Sequence, residues 1–525
     1  MVAGPALAAF LLCCAIPRAS ASGATKLLVV VHERLSDWRI GEAEALLTLM
    51  TAVFPSHTEV RRARARLAYL QGEYDEAVRL IRVVPPVVGT TDVSRLTRTI
   101  EAALAETRGW VTHRSRSGNF VFRCPPGLDE LLVPYAEEAL ERARLALGAD
   151  LGILPDGPVR VELLPGADSL ARLSPLTEDE VRRTGTIALS HDRKLMAVTP
   201  RALISGYAWL DTLVHEYVHY VIEVRARNRV PLWLHEGLAR YAQARWRKPF
   251  PKALVPRDAH LLAEGLAAGA LVPLDRMMPS FAKLRDQREA ALAYAQVTSM
   301  VLRLQGRRGP AGLRALIEHH AAGRSTDEAL RLVDGVDLKV FLARWRRDLL
   351  RDPPRRLPYF EHPALRWRDG AAKTPPAMPE GPVARHRRLG ALLRARGRPE
   401  AARVAYERAF VASGQSHGRI GNTLARLLIE LGRPREAARV ASQALRFNEE
   451  HAGLFVALAR AEAASGHPQE AEAAWRLANS VDPFDPEIHC SLAKLLRARA
   501  AQAEDAAREQ AVCDRLKSEE SGPLR

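Results

Sequence analysis

The stretch His-Glu-Tyr-Val-His at residues 215–219 lies in an apolar-periodic run, residues 210–227, that predicts an α-helix. Residues four apart share one face of a helix, so the imidazoles of His215 and His219 can reach the same ion. Imidazole nitrogens suit Zn²⁺, which they bind at about 2.0–2.1 Å. Glu216 lies about 100° further round the helix, where its carboxylate can border the ion and act as a general base. The stretch therefore predicts two zinc ligands and a catalytic carboxylate.

A third zinc ligand is predicted downstream, in the stretch Trp-Leu-His-Glu-Gly-Leu-Ala-Arg-Tyr at residues 233–241. Pro231 suits the first turn of a second helix, and Glu236 lies in the early turns of that helix. Glu236 follows His219 by 17 residues, which leaves room for the first helix to end and for the second to return beside it. The adjoining His235 is a competing third ligand, and its alternative position is the rim of the site.

His-Glu-x-x-His followed by Trp-Leu-x-Glu-Gly-x-Ala-x-Tyr resembles the gluzincin metallopeptidases, in particular the bacterial peptidase MA-like domain family. The resemblance covers roughly residues 110–350. It implies an α+β zincin-like domain, with a small mixed sheet plus helices, that hydrolyses peptide bonds with a zinc-activated water. On this basis His215, His219 and Glu236 are zinc ligands and Glu216 is the catalytic base. Tyr294 falls where such enzymes supply a phenol to the oxyanion, although it could equally be a half-buried helix residue.

One position departs from the pattern of that family. Thermolysin-like gluzincins carry an acidic residue one helical turn past the glutamate ligand, and here that position is Arg240. Groups at this distance orient the ligands of a metal, so one histidine of the site needs another partner. Glu223, one turn beyond His219, is a candidate for this partner.

Ahead of the first helix, short apolar runs predict strands at residues 119–124, 158–164, 185–189 and 195–199, with helices between them. We expect residues 185–189 to form the edge strand that borders the cleft. A substrate could add to such an edge as a further strand.

An internal repeat follows the predicted peptidase domain. Gly-Arg-Pro-Glu-Ala-Ala at residues 397–402 recurs in similar form at residues 432–438 and 466–471. This period of 35 and 34 residues is similar to that of the tetratricopeptide repeat, an all-α array that binds extended peptides or helices or mediates assembly. We therefore expect a protein partner on the array.

The predicted domains, in chain order, are a secretory signal (1–22), a helical tetratricopeptide-like segment or ordinary helical hairpin (23–108), the zincin domain (109–352), a Pro-rich linker or strap (353–383), the repeats (384–500) and a tail that forms a frayed helix (501–525). Two functions remain open beside zinc-dependent peptidase activity. One is a tetratricopeptide scaffold or binding protein with a structural or inactive zinc domain. The other is a non-peptidase zinc hydrolase.

Charge and cysteine content limit the partners and the location. The chain of 525 residues has a net charge of +16, and Lys supplies only nine of its 77 basic residues. The Arg residues are scattered at helix-surface spacing without interleaved aromatics, so we expect no nucleic-acid partner, while weak envelope or membrane-surface association stays open. The apolar run at residues 7–16 predicts export to the periplasm, envelope or medium, or alternatively an uncleaved anchor. Five Cys without a C-x-x-C pair predict no disulfide framework.

Overall fold

The structure, a computed structural model, describes residues 21–37, 39–84, 91–155, 157–357, 359–360, 364–370 and 380–520. The predicted secretory signal lies outside these residues except for positions 21 and 22. Within the described ranges, no helix combines the length and the apolar character that a bilayer span requires.

The N-terminal part is helical, as predicted. Its helices are α1 (Ala21–Ser36), α2 (Ile40–Val53), α3 (Thr58–Gln71), α4 (Tyr74–Arg82) and α5 (Thr91–Glu106). Gly72, with a φ of 81°, ends α3 in the left-handed conformation that glycine adopts without strain, and α4 then returns beside α3.

A mixed five-stranded sheet follows. The elements of this part are β1 (Val111–Arg114), β2 (Phe120–Cys124), α6 (Val133–Leu151), β3 (Val159–Leu164), α7 (Ala167–Leu173), α8 (Glu178–Thr184), β4 (Ala188–His191) and β5 (Lys194–Val198). The strand order is β1-β2-β3-β5-β4, with β3 parallel to both β2 and β5 and with antiparallel pairs at both ends. The sequence pattern missed β1.

The edge strand β4 is displaced from its predicted position. Residues 185–189 were expected to form it, but the strand begins at Ala188 because Gly185, with a φ of 69°, is the cap that ends α8. Asp192 and Arg193, both with positive φ, form the tight turn from β4 to β5. The expectation that an edge strand leads toward the histidine-bearing helix is correct.

A buried ion pair fastens the N-terminal helices to the sheet. Lys194 on β5 and Glu162 on β3 are almost fully buried, and Lys194 Nζ lies 2.9 Å from Glu162 Oε2. Lys194 also donates to the Tyr74 hydroxyl of α4, 3.1 Å away, and that hydroxyl contacts Glu162. Because each charge has both an opposite charge and a hydrogen-bond partner, the pair can stay ionised away from water.

The helical part of the central domain contains α9 (Trp209–Ala226), α10 (Leu232–Ala242), α11 (Pro256–Ala267), α12 (Gln287–Ala321), α13 (Thr326–Asp334) and α14 (Leu338–Arg351). Helix α9 packs on β4, β5 and α6, and α12 packs on α10 and α11. One continuous apolar core joins the N-terminal helices, the sheet and these helices.

Part of the predicted Pro-rich linker forms a strap over the central domain. Trp367 pairs with Leu203 in an isolated β-bridge, and the backbone N–H of Ile204 donates to Arg366 O at 2.9 Å. Leu365 exchanges hydrogen bonds with the side chain of Gln287, at 2.8 and 3.1 Å. Residues 364–370 therefore cross the domain surface, one of the two arrangements that the sequence left open.

The C-terminal part is an array of helix hairpins. Its helices are α15 (Pro382–Ala395), α16 (Pro399–Ala412), α17 (Gly418–Glu430), α18 (Pro434–Leu445), α19 (Ala452–Ala464), α20 (Pro468–Asn479), α21 (Pro486–Arg497) and α22 (Ala503–Glu520). The predicted turn glycines Gly397, Gly432 and Gly466 all have positive φ, between 67° and 82°. Each glycine lets the chain reverse from the first to the second helix of a repeat.

The segment from residue 501 differs from expectation. It forms α22, which packs along α21, rather than a frayed helix. A disulfide between Cys490 and Cys513 joins the two helices, whereas the sequence predicted no disulfide framework. The odd number of cysteines outside the N-terminal segment gave no pairing pattern to read.

Candidate active site

Helices α9 and α10 form a tight hairpin that carries the candidate metal ligands. Arg227 and Asn228, with φ of 52° and 57°, turn the chain at the end of α9, and Pro231 precedes the first turn of α10. The return brings Glu236 across from the histidine face of α9. The predicted helix at 210–227 and the predicted second helix after Pro231 are both confirmed.

The three side chains predicted as metal ligands meet at one point. The Nε2 atoms of His215 and His219 lie 3.1 Å apart, and Glu236 Oε2 lies 3.4 and 3.3 Å from them. One ligand atom of each residue falls within 4.8 Å of the other two. Within the described residues, Glu236 Oε2 is buried and lacks a hydrogen bond of good geometry. A carboxylate oxygen and two ring nitrogens therefore face a shared centre.

The three converging side chains alter one another's pKa values. Burial lowers the pKa of His215 to about 4 by disfavouring its charged form. Burial acts in the same direction on His219, but the Glu236 carboxylate outweighs it and the pKa of His219 rises to about 9. Burial would raise the pKa of Glu236, yet the facing histidines hold it well below its usual range. The site is thus built around a negative carboxylate that needs a positive partner.

His235 does not join the three ligands. Its ring stacks on that of His219, with centroids 4.5 Å apart and planes at 6°. Its Nε2 points toward Glu223, 4.0 Å from Oε1. Burial lowers the pKa of His235 well below its usual range, so the ring is neutral. His235 therefore supports the face of His219 instead of replacing Glu236.

The expected partnership of Glu223 with a ligand histidine is not met by a hydrogen bond to His219. In the part of the chain that the structure describes, His219 Nδ1 is buried without a hydrogen-bond partner. Glu223 acts on His219 through its charge instead. Burial raises the pKa of Glu223 to about 7, which keeps this carboxyl near the midpoint of titration at neutral pH.

Glu216 is buried beside the three ligands but does not converge with them. Its carboxylate accepts a hydrogen bond from the backbone N–H of Ser190, on the edge strand β4. Burial raises the pKa of Glu216 to about 7, because desolvation penalises the charged form more than His219 stabilises it. A carboxylate with such a pKa can accept and release a proton near neutral pH.

Tyr294, on α12, lies against the same centre. Its ring is 6.0 Å from that of His215 and 4.8 Å from that of Phe281, measured between centroids. Burial, followed by the charges of Glu236 and Glu216, raises the pKa of its phenol well above 10. The hydroxyl is therefore neutral at neutral pH and can donate a hydrogen bond.

Comparison with known proteins identifies both main parts of the chain. Residues 134–351 match the model of the Peptidase MA superfamily, and residues 428–495 match the tetratricopeptide repeat. Residues 134–351 form a peptidase MA domain. The resemblance and the α+β fold class with all-α repeats, both stated from the sequence, are confirmed. No curated protein matches the chain.

Solved structures show only weak likeness. A segment of MamA from Desulfovibrio magneticus has 15% identity and a TM-score of 0.25, with 42% of this chain and 98% of that chain covered. Native yeast LTA4 hydrolase has 12% identity and a TM-score of 0.31, with 78% and 66% covered. Neither score reaches 0.5, so these likenesses carry no argument.

A cleft runs past the centre of the peptidase MA domain. Its walls include the chain just before β4 and residues of α9, α10, α11 and α12. The lining residues that bear on the chemistry are Thr186, His215, Glu216, Arg240, Gln243, Arg257, Asp258, Tyr294, Leu365 and Glu450. The strap contributes Leu365, and the array contributes Glu450 through the turn before α19. The cleft of the peptidase MA domain is therefore shared with the two segments that follow it.

Sequence reasoning missed Gln243, Arg257, Asp258 and Glu450 as cleft residues. Arg257 and Asp258 stand at the start of α11 in no recognised motif, so no local signal marked them. Glu450 is the second of two adjacent acidic residues in a basic array, and this acidic pair was the one feature of the sequence that could have indicated a role for Glu450.

Proposed function

We propose that this protein is a gluzincin-type zinc metallopeptidase that hydrolyses peptide bonds in a polypeptide substrate. The observation that carries the proposal is the convergence of His215 Nε2, His219 Nε2 and Glu236 Oε2 within 4.8 Å inside a peptidase MA domain. Two imidazoles and one carboxylate are the protein ligands of catalytic zinc in many hydrolases.

The three converging ligand atoms are stabilised better by a bound Zn²⁺ than by one another in a metal-free site. Two ring nitrogens 3.1 Å apart can share one proton, but the third atom, Glu236 Oε2, stays buried without a well-formed hydrogen bond among the described residues. A buried carboxylate oxygen without a partner is costly. A divalent cation held by His215, His219 and Glu236 would remove that cost.

When bound, zinc supplies Lewis-acid polarisation of the scissile carbonyl and lowers the pKa of a nearby water. Glu216 then serves as the general base, accepting the proton of the attacking water and delivering it to the leaving amine. The backbone N–H of Ser190 stabilises the charged form of Glu216. The neutral phenol of Tyr294 donates a hydrogen bond to the oxyanion.

The open edge of β4 is a further argument for a peptide substrate. Ser190 stands opposite Leu195 of β5, and among the described strands β4 has a neighbour on one side only. The residues just before it, Thr186 and Ile187, line the cleft. An extended peptide can be held beside such an edge through backbone hydrogen bonds that do not depend on its sequence.

The tetratricopeptide repeats are proposed to bind a protein partner, as such arrays commonly do. Export to the periplasm, envelope or medium is likewise proposed. The Cys490–Cys513 disulfide supports it, because structural disulfides persist in oxidising compartments. The net charge of +16 is compatible with weak envelope association, and no nucleic-acid partner is proposed.

The test combines metal analysis with hydrolysis of denatured casein. We expect purified protein to carry about one zinc per chain and to cleave casein. Glu216→Gln should keep the zinc and lose the cleavage. Glu318→Gln, which removes a surface carboxylate paired with Arg225, is the matched control and should behave as wild type.

Turnover by Glu216→Gln at the wild-type rate would overturn the assignment of the base. Zinc-replete wild-type protein that cleaves no denatured substrate, yet captures a partner through residues 384–500, would instead favour the scaffold function.

A further inference from the structure

Arg240 stands in the cleft one helical turn past Glu236. Its guanidinium carbon lies 5.9 Å from the centre of the Tyr294 ring. Its side chain is 23% exposed. A cation thus faces the cleft beside the residues proposed to do the chemistry.

The hydrogen-bonding capacity of Arg240 is largely unused. A guanidinium carries five N–H donors. Among the described residues, Arg240 makes one hydrogen bond, from Nη1 to Gln243 Oε1 at 3.2 Å. Its nearest carboxylate oxygen, Asp258 Oδ2, is 3.7 Å from Nη2, beyond hydrogen-bond distance.

Asp258 is mainly committed elsewhere. Arg257 Nε donates to Asp258 Oδ1 at 3.3 Å. Arg257 also holds Glu450 of the array, with nitrogen–oxygen distances of 2.8 and 3.0 Å. Glu450 is therefore held by Arg257, and Asp258 is shared between Arg257 through Oδ1 and, at a longer distance, Arg240 through Oδ2.

Arg201 and Arg247, two other arginines of the central domain, each hold a carboxylate of the chain through two hydrogen bonds. Arg201 donates to both oxygens of Asp129 at 2.8 Å. Arg247 donates to both oxygens of Asp211, at 2.9 and 2.5 Å. Arg240 differs from both, because the chain offers it an amide and a distant carboxylate. Because Arg240 lines the cleft, its guanidinium can form such a pair with a carboxylate of a bound peptide.

We infer that Arg240 binds a carboxylate of the peptide substrate and so determines which peptides are cleaved. This inference rests on the proposed peptidase function and names the chemistry of its substrate. The planar guanidinium matches a carboxylate through two parallel hydrogen bonds, and low exposure strengthens them. The carboxylate can come from the C-terminus of a peptide or from an acidic side chain.

The test measures binding in a background without turnover, so that it does not depend on hydrolysis. Zinc-loaded Glu216→Gln protein is titrated calorimetrically with three peptides of one unstructured sequence. One peptide has a free C-terminal carboxylate, the second a C-terminal amide, and the third an amide with its Gln residues replaced by Glu.

Tighter binding of the first peptide than of the second identifies the C-terminal carboxylate, whereas tighter binding of the third than of the second identifies an acidic side chain. We expect a preference of at least about tenfold for one of them. Adding Arg240→Gln should abolish the preference. Arg240→Lys, which keeps the charge but not the fork, should retain part of it. Arg225→Gln, which removes a surface arginine paired with Glu318, is the matched control.

Equal binding of the three peptides, or a preference unchanged by Arg240→Gln, would overturn the inference. Loss of zinc from the Arg240→Gln and Arg240→Lys proteins would also overturn it, because Arg240 would then act on the metal ligands. Hydrolysis by wild-type protein is scored separately. A carboxylate preference in a protein that cleaves nothing would reject the peptidase proposal while upholding the role of Arg240.

Discussion

The indole Nε1 of Trp209 donates a hydrogen bond to the backbone oxygen of Asn479, 3.1 Å away and 270 residues later in the chain. The backbone N–H of Trp209 reaches Ser480 O at 3.2 Å, and that of Tyr207 reaches Val481 O at 3.0 Å. The helix that carries the proposed catalytic residues therefore begins against the end of α20. The array and the peptidase MA domain meet at the start of α9.

Trp209→Phe should lower the free energy of unfolding by about 1 kcal/mol, because it leaves the buried Asn479 oxygen without its donor. Chemical denaturation at neutral pH measures the change. Trp367→Phe is the matched control, since the Trp367 indole nitrogen is buried without a hydrogen-bond partner in the described part of the chain. A loss of equal size in the control would show that ring size, and not the hydrogen bond, is responsible.

Gly206→Ala should destabilise the protein more than Trp209→Phe does. A Cβ at this position would stand 2.2 Å from Val481 O, and the backbone φ of 62° already disfavours a side chain. Gly269→Ala is the control, because Gly269 has a φ of 63° with no atom near its Cβ position. We expect the difference in unfolding free energy between the two variants to be about 1–3 kcal/mol. Equal losses of unfolding free energy in the two variants would show that the array makes no close steric contact with residue 206.

Tyr294→Phe should lower kcat by about two orders of magnitude and leave the zinc content unchanged, because it removes one oxyanion donor and keeps the ring. Steady-state kinetics on a cleaved peptide and metal analysis measure the two quantities. Tyr241→Phe on α10 is the control, since it removes a buried hydroxyl without a hydrogen-bond partner among the described residues. An unchanged kcat in Tyr294→Phe would leave that tyrosine a packing residue.

Glu509→Gln should lower stability at pH 7 by about 1–3 kcal/mol. Glu509 accepts hydrogen bonds from Tyr135 at 3.0 Å, and its Oε2 lies 2.7 Å from Nδ1 of His489. Burial alone would raise the pKa of Glu509, but the hydrogen bond and charge of His489 outweigh it and the pKa falls below 4.5.

A depressed folded-state pKa stabilises the protein fully above the unfolded value of 4.5, and this stabilisation is lost as the pH falls through the folded value. The difference between wild type and Glu509→Gln should therefore shrink below pH 4.5, as urea unfolding at pH 7 and pH 3.5 would measure. Glu504→Gln, on the same helix but 82% exposed, is the control. A difference independent of pH would contradict this account.

The residues of the candidate metal site could be predicted from their local spacing in the sequence. His215 and His219 share a helix face by their separation alone, and a short turn followed by Pro231 fixed the return of Glu236. The repeats were readable because their glycine turns recur. The displaced strand β4 shows the limit of this approach, since Gly185 ends a helix where apolar alternation indicated a strand.

Features that depend on distant contacts could not be predicted. The contact of Trp209 with Asn479, the approach of Glu450 to the cleft and the Cys490–Cys513 bond join residues whose pairing has no periodic signal. The sequence showed that Arg240 is unusual at its position. Only the structure shows that its guanidinium makes one hydrogen bond, to Gln243, and a longer contact with Asp258.

The contact of Trp209 with residues 479–481 also orders events during synthesis. Domains generally fold from the N-terminus as the chain leaves the ribosome. Trp209 at the start of α9 emerges 270 residues before Asn479, whose backbone oxygen it binds. A nascent chain that has not yet reached residues 479–481 thus carries all three candidate ligands without the contact that fastens the first turn of their helix.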